Sequence, residues 1–445
     1  MLLALLLGPA AFGTWALLRL GLRYSALAGY AVLRGLEREL IQGGVHGSTP
    51  TRGRDPLPAA ALGFILLAGG AMAVVAVALA SVVSGSDHRA LLLAFAAATL
   101  AESVFGYALV CIRVRSSLRH YAALETGTTA LHLILAVGLA SVWGLPGAFV
   151  GLVIANLAGI AVASRHVDLR PALRLEPLRR LLRVGVPIAV TICFGILLTT
   201  ADRWVVAVLG GSTMLGYFAF AGSIAQVGTA LGQVVRTVVF PQVYAQASTV
   251  GLGPALQAHL RRILLPYARL LPPILGAVSL VVGPAIAFGM PGYLPAIVPA
   301  RFFLLAGVAV GLVSLVSVGA IAAGRQHRLP LYAAVALAVI LGGAVLALTS
   351  GWGLGAVAGV SLLGHLFYAA AVLRLSLREA NLGNANRVVL ATLWPLLWCT
   401  ASVWVIGALI PGTDVYSAAL AMGLYLVSLL PLFPTWQKEW RRLHS

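Results

Sequence analysis

Apolar runs of about 20 residues recur along the chain, separated by short polar or glycine-rich breaks. A run of that length crosses the ~30 Å hydrocarbon core of a bilayer as a helix. Complete spans are predicted at 11–33, 58–84, 89–111, 121–143, 146–164, 184–208, 214–240, 264–288, 296–324, 329–349, 354–374, 388–409 and 415–435. These 13 are preceded by an apolar stub at 1–8, too short to cross before its Gly8-Pro9 break. A barrel strand needs only about 9–11 residues of alternating polarity, so the long continuous runs predict helices. The expected fold is an all-α polytopic membrane protein.

Composition agrees. Of 445 residues, 60% are hydrophobic and 9% charged, with a mean hydropathy of +0.99. A soluble domain is nearer half apolar and a quarter charged. This excludes a soluble enzyme, a disordered chain and a nucleic-acid-binding module. The 30 basic residues outnumber the 12 acidic ones, for a net charge of +18. Laid on the predicted spans, 23 of the 30 fall in one set of alternate loops, from Arg34 and Arg38, through Arg52 and Arg54, to Lys438, Arg441 and Arg442. Only Arg89 falls in the opposite set, and Arg19, Arg23, Arg203, Arg236, Arg269 and Arg301 lie inside spans or at their edges. Basic loops stay in the cytoplasm, so the C-terminus is expected there too. The charge reports topology, and the expected partners are membrane lipids rather than nucleic acid. Trp143, Trp204 and Trp352 near outer span ends, with Trp436 and Trp440 near the inner end of the last, fit interfacial aromatic belts.

Little in the sequence supports enzymatic chemistry. The outer loops, such as WGLPG and SGWG, are too short to house a catalytic site of the kind expected of a membrane glycosyltransferase. No P-loop is present. Cys111, Cys193 and Cys399 all fall within spans, giving neither a disulfide framework nor a metal motif. No cofactor is expected beyond H⁺ or Na⁺ as a coupling ion.

An internal repeat organises the spans. The segment starting LGPAAFGTWALL at Leu7 resembles LGGSTMLGYFAF at Leu209. Past the turn the offset is 203, pairing Gly13 with Gly216, Trp15 with Phe218, Arg23 with Gln226 and Gly29 with Gly232. Repeats in transporters place the substrate site between the repeat units. Six spans separate the equivalents, so each unit is a six-helix lobe. Matched to Val184–Leu209, the opening MLLALLL reads as the outer end of a first helix of which roughly 20 residues are missing, judged by the usual span length.

The segment 182–244, with its basic lead into GVP, the Asp202-Arg203 pair, the LGGST turn, Gly216-Tyr217, Pro241 and Tyr244, resembles the polysaccharide flippase family, the O-antigen and exopolysaccharide exporters of the multidrug/oligosaccharidyl-lipid/polysaccharide superfamily. LGPAAFGTW, Arg38-Glu39 and GLPGAFVG at 144–151 also look like this family. The resemblance implies two six-helix lobes in a V around a central cavity, with two extra C-terminal helices. The corresponding division is an N-terminal lobe at 1–164, a basic linker at 165–183, a C-terminal lobe at 184–374, and a helix pair with a basic tail at 375–445. It further implies alternating access in a bacterial cytoplasmic membrane, with an undecaprenyl-diphosphate-linked oligosaccharide as cargo and other polysaccharide assembly proteins as possible partners. A peptidoglycan-precursor flippase, a cation-coupled drug exporter and an inactive truncated member are the alternatives.

Such a cargo needs positive charge for its diphosphate, and Arg matches phosphate through its planar fork. At 100° per residue Phe12, Trp15, Arg19, Arg23, Ala26 and Tyr30 share a narrow stripe. Arginines within a span are costly against lipid, so Arg19, Arg23 and Tyr30 are candidates for substrate contact; pairing of the arginines with Glu102 or Asp202 is the structural alternative. Gln226 and Gln233 suit sugar hydroxyls or interhelical hydrogen bonds. Arg236 could receive the diphosphate or snorkel toward the interface. Glu102, Asp202 and Arg203 are candidates for coupling or gating, with a structural clamp equally open; Asp202 and Arg203, being adjacent, need separate partners. His132 and His365 are read as satisfied core histidines.

Overall fold

The computed structural model describes residues 1–45, 56–82, 85–115, 118–379 and 384–432. Arg52, Arg54, Lys438, Arg441, Arg442, Trp436 and Trp440 lie outside them. The described residues form α1 (Leu2–Val45), α2 (Pro56–Val82), α3 (Ser86–Arg115), α4 (Leu118–Ala163), α5 (Leu175–Val250), α6 (Leu252–His259), α7 (Leu265–Gly289), α8 (Ile297–Ala322), α9 (Leu329–Thr349), α10 (Gly353–Glu379), α11 (Ala385–Leu409) and α12 (Val415–Ser428). Eleven helical segments among them are long and apolar enough to cross a membrane. Two of these, within α4 and α5, fold back at a glycine, so together they carry the 13 predicted spans.

The fold-back points explain why such short breaks suffice. Gly144 leaves helical geometry at φ 61, ψ −141, and Gly211 at φ 76, ψ −177. A positive φ is open to glycine and costly for other residues. Gly8 breaks α1 with φ 70, ψ 171, close to the geometry of Gly211, its partner at the offset of 203. A second pair of turns extends the likeness: Trp143-Gly144-Leu145 and Trp352-Gly353-Leu354 both open on a positive-φ glycine, with Gly353 at φ 76.

The chain divides into two compact units, Met1–Cys193 and Phe194–Ser445. In the first, α2 and α3 pack along each other, α3 packs on α4, and α1 touches all three. Its core joins Val32 and Leu36 of α1 to Leu62 and Ile65 of α2 and Tyr107 and Cys111 of α3. The two arms of α4 close on small residues. A Cβ on Gly151 would lie 2.7 Å from the Ala136 backbone nitrogen, and one on Gly147 would lie 2.2 Å from the Leu139 carbonyl oxygen. Small residues allow helix backbones this close where lipid gives no hydrophobic drive. In the second unit α8 is buried almost all round, against α7 and α10, and α9 and α10 form a hairpin with Gly364 against Ile340.

Several helix ends differ from the hydropathy reading. The first complete helix continues past 33 to Val45, because ion pairs hold it beyond the apolar stretch. Helix begins at Leu175, ahead of the expected 184, and α12 stops at Ser428 before a short 3-10 turn at Leu430–Leu432. Arg261 and Arg262, read as a loop, lie in a π-helical turn, Leu260–Leu264, between α6 and α7. The Leu265 amide bonds back to the Leu260 carbonyl, five residues away. Pro266 follows and has no amide to offer the next carbonyl in α register, so the widened turn absorbs the defect without ending the helix.

Candidate functional site

The stripe on α1 splits by environment. Phe12 and Trp15 are buried, with the Trp15 ring 4.6 Å from Phe149 and 6.5 Å from His132. One turn on, the Arg19 guanidinium stands 5.9 Å from the Trp15 ring, and its Nη1 donates to Glu102 Oε2 on α3 at 3.2 Å. The two side chains remain 36% and 33% exposed. Arg23 is exposed, and Tyr30 is half-buried beside the Arg34 guanidinium, 5.2 Å from its ring. The arrangement is a graded one: aromatic packing at one end, a held arginine in the middle, an open arginine beyond it. An arginine already fixed by a carboxylate and a ring face loses less freedom when it meets a phosphate.

The second unit treats its charges differently. Asp202 is 3% exposed; its Oδ2 accepts from Ser361 Oγ at 2.7 Å and its Oδ1 from the Arg203 amide at 2.8 Å. Arg203 points elsewhere, across Gly222 of the second arm of α5, where a Cβ would lie 2.9 Å from Nη2. The Asp202 carboxylate thus reaches α10, while the Arg203 side chain lies against the second arm of α5. His365 Nδ1 lies 2.7 Å from the Ser361 carbonyl oxygen, which can only accept, so Nδ1 carries the proton. Its Nε2 is buried with no partner, and the same is true of His132 Nε2. Neither histidine is fully satisfied, contrary to the reading of both as ordinary core residues. Gln226 and Gln233 are exposed and Arg236 is half-buried.

The sequence reading missed a set of ion pairs among the arginine-rich helix ends of each unit. Glu37 pairs with Arg34 at 2.7 Å and with Arg113 of α3. Glu39 of α1 pairs with Arg180 of α5, and Glu379 of α10 pairs with Arg325 at 3.0 Å and Arg328 at 3.8 Å. The i,i+3 spacing of Arg34 and Glu37 was visible; the partners on other helices were not.

Residues 2–287 match the profile of a family described as "Polysaccharide biosynthesis protein". The chain belongs to this family. No curated protein matches it in sequence. Among solved structures, the chain is similar to an inward-facing multidrug resistance MATE transporter of the MOP superfamily, with a TM-score of 0.67 at 13% identity over 91% of this chain and 93% of that one. It is similar to the lipid II flippase MurJ in an inward closed conformation, with a TM-score of 0.64 at 13% identity over 97% and 99%. An outward-facing MATE transporter gives 0.54 at 14% identity over 86% and 96%. At these identities the likeness establishes the fold, that of MATE and MurJ transporters.

Proposed function

We propose that the protein is a flippase that moves a lipid-linked oligosaccharide of the undecaprenyl-diphosphate type to the outer leaflet of a bacterial cytoplasmic membrane, by alternating access. The observation that carries this reading is the pair of arginines within one apolar helix, Arg19 held half-exposed by Glu102 and Trp15, and Arg23 open one turn away. Arginine within a span is costly unless it has an anionic partner or a polar surround. One carboxylate serves Arg19 here, and a diphosphate supplies two further charges. Exposed Gln226 and Gln233 offer donors and acceptors suited to sugar hydroxyls. Tyr30 sits beside Arg34 toward the arginine-rich end of α1, and Arg236 toward the expected cytoplasmic end of its span, where a headgroup from the inner leaflet would enter. The family description and the flippase among the structural neighbours support the same reading.

Replacing Arg19 or Arg23 with Ala is expected to abolish surface polysaccharide and leave lipid-linked sugar on the inner leaflet, with the protein still in the membrane. Unchanged polysaccharide in both variants overturns the assignment. A second reading, cation-coupled drug export, is favoured by the MATE neighbours and by the intramembrane carboxylates Glu102 and Asp202. Deleting the gene separates the two: drug sensitivity follows from loss of an exporter, inner-leaflet sugar accumulation from loss of a flippase.

A further inference from the structure

One arginine in the second unit takes no part in the site above. Arg301 sits one turn into α8, at the end opposite the Arg325 and Arg328 turn. It is half-buried, and its Nε is fully enclosed without a hydrogen-bond partner. Its guanidinium lies over two glycines on neighbouring helices: a Cβ on Gly407 of α11 would be 2.6 Å from Nη1, and one on Gly283 of α7 would be 3.3 Å from Nη2. The described carboxylates of this unit are engaged elsewhere. Asp202 accepts from Ser361, Glu379 pairs with Arg325 and Arg328, and Asp414 accepts from Ser417 at the start of α12. Arg301 thus has no counter-ion among the described residues.

Beside it opens a cleft of about 160 Å³ between α8 and α11. Arg301 is the one charged group in its lining; Phe302, Leu305 and Val403 form apolar walls, and Trp404, 63% exposed, stands among the lining residues. Val298 on α8 and Val405 and Leu409 on α11 are exposed nearby, as residues facing acyl chains would be. A half-buried cation without an anion is costly, and a guanidinium pairs well with phosphate oxygens. A tryptophan beside such a group is typical of the headgroup level of a bilayer. We propose that Arg301 anchors a binding site for the phosphate of a lipid headgroup in the cleft between α8 and α11, at the charge-poor end of the second unit. The apolar walls select a phosphate that carries acyl chains over a free one.

The test uses the purified full-length chain in detergent. Thermal stability is measured with phosphatidylglycerol, with diacylglycerol of the same chains, and with inorganic phosphate; native mass spectrometry counts retained lipid. Phosphatidylglycerol is expected to raise the melting temperature of the wild type, and diacylglycerol and inorganic phosphate to give much smaller shifts. Arg301→Gln should weaken phosphatidylglycerol binding by about tenfold or more, whereas Arg301→Lys, which keeps a point charge, should retain part of it. If Arg301→Gln fails to fold, Gly407→Ala decides, because it displaces the guanidinium without altering charge and should also lower retention. Equal retention of phosphatidylglycerol by the wild type and these variants overturns the site. A shift with inorganic phosphate as large as with the lipid overturns the lipid as its source, and equal shifts with diacylglycerol overturn the role of phosphate.

Discussion

Arg19 and Glu102 show what a single residue position reveals and what it withholds. The sequence offers Arg19 both Glu102 and Asp202 as carboxylate partners, but only the packing of α1 on α3 selects Glu102, 83 positions on. Asp202 is the stronger case. Its neighbour Arg203 is the obvious partner on paper, yet it contributes its backbone amide, and the side-chain donor is Ser361, 159 residues away. Two predictions belong here. An ion pair this exposed contributes only about 0.2–1 kcal/mol, so Glu102→Gln should leave the amount of folded protein unchanged while altering the pH or Na⁺ dependence of flipping in proteoliposomes; an unaltered dependence removes Glu102 from coupling. Ser361→Ala strands a buried carboxylate oxygen and should cost about 1–3 kcal/mol, read as a lower melting temperature, with Ser361→Thr, which keeps a hydroxyl, less affected.

At the scale of elements, hydropathy located the spans found among the described residues, because lipid demands long apolar runs. It could not locate helix ends outside the lipid, where α1 runs on to Val45, nor the π turn ahead of Pro266. The sequence also hid the closest helix crossing of the first unit. A Cβ on Gly185 of α5 would lie 1.7 Å from the Ala31 carbonyl oxygen, and one on Gly35 of α1 would lie 2.1 Å from that of Leu181. The Glu39–Arg180 pair stands beside this crossing. Gly185→Leu should therefore force the helices apart, costing about 1–3 kcal/mol or more, and should sharply reduce folded protein on size-exclusion chromatography. Gly195→Ala, on the same helix with nothing within 4 Å of the added carbon, should be tolerated.

At the scale of the whole molecule, the repeat was legible in a few glycines and aromatics. The matching backbone of Gly8 and Gly211, and the Trp-Gly-Leu turns at 143 and 352, give it a geometric basis. The arginine surplus makes a statement about orientation that can be measured directly. Alkaline phosphatase fused at Ser350, between α9 and α10, should be active, and fused at Gly324, between α8 and α9, inactive, with fluorescent-protein fusions giving the reverse pattern. The opposite pattern would invert the topology. The single-residue turns also bear on how the chain enters a bilayer during synthesis. At Gly144 and Gly211 the backbone reverses within one non-helical residue, so almost no polar chain has to be threaded across the hydrocarbon when the flanking arms insert. The α4 hairpin, whose arms close on Gly147 and Gly151, can pass from the insertion machinery into lipid as a closed pair with its backbone hydrogen bonds already made.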